Sequence, residues 1–450
     1  MAKPRLIYGC DNCGAEHLKW QGQCPDCGAW NTLVEQRAPA ERARRSQYAG
    51  ELERARLDGL ELGTADRIQT GLSEFDRVLG GGLVAGSVVL IGGDPGIGKS
   101  TLLLRVLAEI AKQCPACYVT GEESLAQIAL RARRLEVSDA PIELLAETEV
   151  DAVLGRLEAA APRVVVIDSV QTLYAQTLQS APGSVSQLRE CAAQLVRYAK
   201  AKQVAVILVG HVTKEGTIAG PRVLEHMVDT VLYFESDLGS RFRIVRTAKN
   251  RFGAANELGF FAMTERGFVE VKNPSAIFLA QRDRAVPGTA TLVTREGTRP
   301  VLVEVQALVD QAFGQPRRIA QGLDTQRLGL LLAILHRHGD LALGDRDVYA
   351  NVAGGLRIAE TASDLAVALA VVSSYRERPV ARGLVVFGEL GLTGELRPVP
   401  FGEERLLEAK KHGFTRAIVA RGNTPRRPVA GLDCVAAERL DEALAQAFTT

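Results

Sequence analysis

The run Gly93-Asp94-Pro95-Gly96-Ile97-Gly98-Lys99-Ser100 follows the apolar stretch Ser87–Ile91 and precedes a helix-forming segment that begins at Thr101. In that context glycines let backbone N–H groups close around a phosphate, and the helix aims its positive end at the same anion. Lys99 is then expected on the β/γ-phosphates and Ser100 on Mg²⁺, with residues 93–101 as the ATP-contacting set. Asp168 ends the apolar run Arg163–Ile167, where a carboxylate can hold Mg²⁺ directly or through its water. Glu122 and Glu123 follow another strand candidate, at a position suited to aligning the attacking water. Glu122 is preferred as that base, although an acidic pair before Ser124 also suits a helix N-terminus. Gln171, Gly210 and His211 close further strands, where sensing of the γ-phosphate is feasible.

A second chemistry lies at the start. Cys10-x-x-Cys13 and Cys24-x-x-Cys27 form two knuckles, each with a glycine after its second cysteine. Four thiolates so spaced suit the tetrahedral geometry of a structural Zn²⁺ site. A segment of about 30 residues has too little core to fold alone, so the metal is expected to supply most of its stability. Cys114 and Cys117 repeat the spacing with no partner pair nearby and read as structural, as do the single thiols Cys191 and Cys434.

These groups need elements to hold them. Over residues 67–272, strand candidates 87–91, 117–120, 163–167, 204–209 and 229–234 alternate with helix candidates 101–112, 124–134, 149–160 and 184–201, and 242–247 with 259–262 reads as a later hairpin. Such alternation implies a mostly parallel sheet covered on both faces, with ligands at the strands' C-terminal ends. The expected organisation is a zinc module over 1–35, a basic linker over 36–66, an α/β ATPase core over 67–272 and a last domain over 273–450. The linker holds Arg37, Arg42, Arg44, Arg45, Arg54 and Arg56, a solvated spacer that could also touch phosphates.

At 450 residues, with 46% hydrophobic and 24% charged residues, the composition is that of a globular protein of several domains. The net charge of +1 makes any nucleic-acid surface local. No apolar stretch has membrane-spanning length and Met1–Tyr8 lacks a signal-peptide core, so no membrane partner and a cytoplasmic location are expected.

With these residues in view, the chain resembles the bacterial RadA (Sms) family of DNA-repair proteins, distinct from the archaeal recombinase of that name. The resemblance runs essentially end to end. It is carried by Trp20-x-Gly22-x-Cys24-Pro25, Trp30-Asn31-Thr32, Thr70–Asp76, Gly80-Gly81-Gly82, Thr120–Ser124, His211–Gly216 and above all Lys249-Asn250-Arg251-Phe252-Gly253. It implies a RecA-like ATPase core, a homo-hexameric ring, and branch migration on single-stranded and branched DNA beside the RecA recombinase. Lys249 and Arg251 would then reach into a neighbour's ATP site as fingers supplied in trans, the plainer alternative being a basic surface hairpin. The loop Thr213–Arg222, with Lys214 and Arg222, would correspond to a DNA-facing loop.

Residues 273–450 resemble the proteolytic domain of Lon, through Gly354-Gly355-Leu356 and Gly388–Glu395. The nucleophile position falls on Ala362 and that of the catalytic lysine on Glu403, so a non-proteolytic scaffold is implied. Ser363 is one residue off, and Lys410 and Lys411 are about two helical turns too far. Arg317, Arg318 and Arg327 are candidate DNA contacts. Two alternatives to a DNA-stimulated motor are an ATP-dependent peptidase, which the missing Ser–Lys pair opposes, and a clock-type ATPase, which the zinc module opposes.

Overall fold

A computed structural model describes residues 6–12, 14–37, 67–211, 221–235, 241–279 and 285–448. It divides into two compact units, Met1–Lys272 and Asn273–Thr450.

The first unit opens with a three-stranded antiparallel ribbon, β1 (Leu6–Cys10), β2 (Glu16–His17) and β3 (Leu33–Arg37), in the order β2-β1-β3. After the linker, most of which lies outside the described residues, β4 (Arg67–Ile68) pairs with β5 (Leu83–Val84) across helix α1 (Ser73–Val78). The body is a nine-stranded sheet. Its strands are β6 (Val88–Gly93), β7 (Ala116–Thr120), β8 (Ile142–Ala146), β9 (Val164–Asp168), β10 (Ala205–Val209), β11 (Thr230–Glu235), β12 (Phe242–Asn250), β13 (Leu258–Thr264) and β14 (Gly267–Glu270). The order is β14-β13-β12-β11-β6-β10-β9-β7-β8, parallel from β11 to β8 and antiparallel from β11 to β14.

The near-continuous apolar strands follow from burial on both faces. Val89, Ile91, Val164, Val166 and Ile207 point into a core with helix α2 (Lys99–Ala111), while Val88, Leu90, Val165, Ile167 and Leu208 meet α4 (Val150–Ala160) and α5 (Val185–Lys202) on the other side. Helix α3 (Leu125–Arg134) begins at a capping box in which Ser124 accepts from the Gln127 N–H and the Gln127 side chain accepts from the Ser124 N–H. A four-residue helix, α6 (Pro221–Leu224), leads into β11. The expected strands and helices of this unit are all present. Strand β8 was not anticipated, because Ile142-Glu143-Leu144-Leu145-Ala146 is a short edge strand with little periodicity.

The second unit, after a short α7 (Ser275–Phe278), is a seven-stranded sheet. It contains β15 (Thr289–Glu296), β16 (Arg299–Gln311), β17 (Arg318–Gln321), β18 (Arg346–Val352), β19 (Leu384–Phe387), then β20 (Glu389–Leu390) and β21 (Leu396–Arg397) as a separate pair, and β22 (Arg416–Ala420) and β23 (Asp433–Ala437). Helices α8 (Thr325–His338), α9 (Asp364–Tyr375), α10 (Gly402–Lys411) and α11 (Leu440–Ala447) accompany it. Every residue of α9 from Asp364 to Ser373 is buried, so this helix is apolar all round. Among the described residues, no helix is long and apolar enough to cross a membrane.

Candidate nucleotide and zinc sites

The phosphate loop joins β6 to α2 at the C-terminal end of the parallel sheet. Helix α2 begins at Lys99, so Lys99 and Ser100 occupy its first turn, where backbone N–H groups have no intrahelical acceptor. Lys99 is buried, and its ammonium donates to the carbonyls of Gly93 (2.6 Å) and Asp94 (2.9 Å). Burial lowers its pKa, and the nearby carboxylates of Asp168, Glu122 and Asp94 act in the opposite sense.

The strand ends converge on this loop. Thr120 is in register with Asp168 on the neighbouring strand, and Val209 with Ile91. Beyond these ends a chain of polar contacts begins at Lys99, whose Nζ lies 3.3 Å from His211 Nδ1. An ammonium can only donate, so Nδ1 accepts and the ring proton resides on Nε2. That Nε2–H donates to Glu122 Oε1 at 3.1 Å, and Ser169 Oγ donates to the same oxygen at 2.6 Å. Gln171 fixes the histidine from its backbone, donating to the His211 carbonyl at 3.3 Å.

The two glutamates separate clearly. Glu123 is ion-paired with Arg131 of α3, and its N–H donates to Thr120 Oγ1 at 3.0 Å. Glu122 points into the His211–Lys99 network and its side chain remains 40% exposed. Asp168, at the end of β9, is buried and accepts a hydrogen bond from the Tyr118 hydroxyl. The nearby Ser100 side chain acts on the same phenol in the opposite sense to Asp168, lowering its pKa. One buried tyrosine therefore restrains Asp168, a residue expected to hold Mg²⁺. Tyr118 lies in the strand candidate 117–120, where the available signal was a phenol inside an apolar strand, whose O–H must find a partner.

Lys249 and Arg251 lie elsewhere. Lys249 is in β12 and Arg251 falls just past the end of that strand. Both turn onto the segment 225–229. Lys249 Nζ donates to the carbonyls of Glu225 (2.7 Å) and Val228 (2.8 Å), and Arg251 pairs with the buried Asp229 at 3.1 Å. Thr230 pairs with Val89 on one side and with Asn250 on the other, while Phe234 pairs with Gly93. Lys249 and Arg251 thus sit at the end of the sheet opposite the phosphate loop, about four residues or roughly 13 Å away along the strands. Lys214 lies outside the described residues and Arg222 stands in α6.

The ribbon gathers Cys10, Cys24 and Cys27, whose sulfurs lie within 4.8 Å of one another; Cys13 lies outside the described residues. In each knuckle the glycine N–H returns to the first cysteine's carbonyl, Gly14 to Cys10 at 2.7 Å and Gly28 to Cys24 at 2.8 Å. Both glycines are left-handed, with φ of 73° and 70°, which is the reason for glycine after each pair. This soft, convergent donor set fits zinc. His17, unnoticed in the sequence, places Nε2 3.7 Å from Cys24 Sγ and 3.1 Å from the Asp26 carboxylate, as an outer partner of the thiol set.

In the second unit Ala362 is buried, and Ser363 spends its hydroxyl on the Glu360 carbonyl at 2.9 Å. Glu403 is exposed, while Lys410 donates to the Gly431 carbonyl and Lys411 pairs with Glu408. Two of the three arginines read as DNA contacts have other commitments. Arg327 forms a two-pronged pair with the fully buried Asp364 and also donates to the Leu390 carbonyl at 3.0 Å. Arg318 donates to the carbonyls of Arg346 and Leu343. The first residue of α9 and the backbone leading into β18 placed acceptors beside these guanidiniums, which linear sequence does not reveal. Arg317 is exposed.

Three stretches of the chain match known families. Residues 54–217 match the AAA domain family, 8–35 a rubredoxin metal binding domain and 333–423 subunit ChlI of Mg-chelatase. The chain is 56% identical to the DNA repair protein RadA of Pseudomonas aeruginosa over 100% of both chains. It is 51% identical to that of Escherichia coli over 99% of each, and 48% identical to that of Bacillus subtilis over 94% of each. The fold is thus an α/β ATPase of mostly parallel sheet, with an N-terminal zinc ribbon and a C-terminal ChlI/Lon-like α/β domain, and the chain belongs to the RadA family of DNA-repair proteins.

Proposed function

We propose that this protein is a DNA-stimulated ATP hydrolase that works as a homo-hexameric ring, driving branch migration of recombination intermediates beside the RecA recombinase. The observation that carries the reading is the separation of Lys249 and Arg251 from the chain's own phosphate loop by the length of the sheet. Cations so placed cannot reach the γ-phosphate bound by their own chain. In a ring, that edge of one copy meets the ATP of the next, and the ATP site is complete only at the junction.

Each side chain then has a task. Lys99 exchanges the Gly93 and Asp94 carbonyls for the β/γ-phosphates of ATP. Ser100 and Asp168 hold Mg²⁺, which supplies charge neutralisation on the phosphates. Glu122 accepts the proton of the attacking water, while Glu123 anchors α3 through Arg131. Moving Lys99 onto phosphate removes the donor to His211 Nδ1, so His211 can report nucleotide state to the segment that follows it. That segment contains Lys214 and leads to Arg222, both assigned here to DNA phosphates.

In the second unit the positions of a Lon-type nucleophile and lysine hold Ala362 and Glu403, and Ser363 is occupied internally. This supports a scaffold without peptidase activity. The deciding experiment measures ATP hydrolysis with and without single-stranded DNA for the wild type and Lys99→Ala. Stimulation that vanishes in the variant is expected; hydrolysis indifferent to DNA would overturn the motor reading.

A further inference from the structure

The chain contains two tryptophans, and both lie in the zinc ribbon. Indole is the largest apolar side chain, and a folded protein normally hides most of it. Here Trp20 is 56% exposed and Trp30 is 69% exposed. Neither helps to form the small core of Cys10, Cys24 and Leu33 that the metal would brace. The rings are also held near one another. A Cβ built on Gly22 would stand 3.7 Å from the Trp30 ring and 4.0 Å from the Trp20 ring. The loop is pinned there by the Asn31 N–H, which donates to the Gly22 carbonyl at 2.8 Å, and by the bridge between Gln23 and Trp30. Glycine at this position leaves the space between the two indoles open.

The geometry points to a stacking platform for unpaired nucleobases, formed by Trp20 and Trp30 with Lys19 beside them as a phosphate partner. This rests on the reading above that the protein acts on DNA. Flat, exposed aromatic faces on a rigid frame are what sequence-tolerant single-strand binding uses, because every base has a π-face. Charge favours the same occupant. The sequence leaves the ribbon through Arg37, Arg42, Arg44 and Arg45 against the single acid Glu41, a local excess of cations beside an otherwise nearly neutral chain. Duplex DNA offers its base faces only at its ends, so the platform selects single strands.

The test uses the full-length, zinc-loaded protein. Because Trp20 and Trp30 are its only tryptophans, intrinsic indole fluorescence reports this site and nothing else. Titration with poly(dT) is expected to quench that emission saturably, and an equal mass of duplex to quench it far less. Trp20→Phe and Trp30→Phe leave one reporter each, and both should still be quenched. Trp20→Ala and Trp30→Ala, checked for unchanged zinc content, should each weaken poly(dT) affinity about fivefold or more. If DNA binds and stimulates hydrolysis with indole emission unmoved, the platform is wrong and the motor reading stands. If DNA neither binds nor stimulates, both fall. Quenching by the recombinase protein alone, with none by poly(dT), would reassign the surface to a protein partner and overturn the proposal.

Discussion

The hydroxyl of Tyr118, at the centre of β7, donates to the carboxylate of Asp168 at the end of β9, and both groups are buried. Burial, the neighbouring Asp168 charge and this hydrogen bond all raise the phenol's pKa well above its ordinary value, so the phenol is a proton donor throughout the working pH range. It fixes one oxygen of that carboxylate. A hydrogen bond to a charged group contributes about 1.5–3 kcal/mol.

Tyr118→Phe keeps the ring in the core and removes only this restraint. The expected outcome is a several-fold higher Mg²⁺ concentration for half-maximal hydrolysis, with nucleotide binding in the absence of metal unchanged. A Mg²⁺ titration of turnover, beside a fluorescent-nucleotide binding curve, checks both. An unshifted Mg²⁺ profile would show that the phenol serves packing alone.

Glu122 and Glu123 should respond differently to loss of charge. Glu122→Gln should retain ATP binding and lose turnover by about a hundredfold or more, the usual contribution of a positioned base. Glu123→Gln loosens the pair with Arg131 and should act mainly on the stability of α3. Single-turnover hydrolysis and thermal melting separate the two effects.

Trans action by Arg251 has a mixing signature. Arg251→Ala should bind ATP normally and lose turnover by about a thousandfold, the scale of an arginine finger. Lys99→Ala is inactive for a different reason, having lost its own phosphate site. Mixing the two inactive proteins should restore measurable activity, because one supplies an intact loop and the other an intact finger. No recovery, with subunit exchange verified, argues against a shared site.

The zinc ribbon should fail as a unit. Chelation or Cys24→Ser is expected to unfold residues 6–37 without lowering the melting temperature of the ATPase core, since the ribbon's small core is separate from the two clusters that flank the main sheet. Thiol labelling provides the readout. Cys117 and Cys191, each pushed up to about 12 by burial, should stay unreactive while the ribbon cysteines become available on chelation.

In the second unit, Arg405 is fully buried and pairs with Glu360 at 2.6 Å, while also donating to the Val293 carbonyl. Arg405→Ala removes charge-assisted hydrogen bonds to Glu360, which is itself partly exposed and keeps the Thr294 hydroxyl and Arg295 N–H as donors, at a cost of about 1.5–3 kcal/mol. The melting transition of this unit should fall accordingly, as calorimetry would measure.

The phosphate loop, the Cys-x-x-Cys knuckles and the alternating strands were legible from the linear chain for local reasons. Each is a short pattern whose chemistry depends on residues within one turn or one strand: glycine where φ must be positive, lysine one residue into a helix, and unbroken Val and Ile where both sheet faces are covered. Fold class and ATP chemistry follow from such patterns. The rest depended on residues far apart in sequence. Only strand register brought Tyr118 to Asp168, Glu122 to His211, and Lys249 and Arg251 to the edge away from their own phosphate loop. The same packing turned Arg327 onto Asp364 and left two indoles open to solvent. A side chain's type is written in the sequence, but its partner is chosen by whichever backbone the sheet order sets opposite it, and that is a tertiary decision.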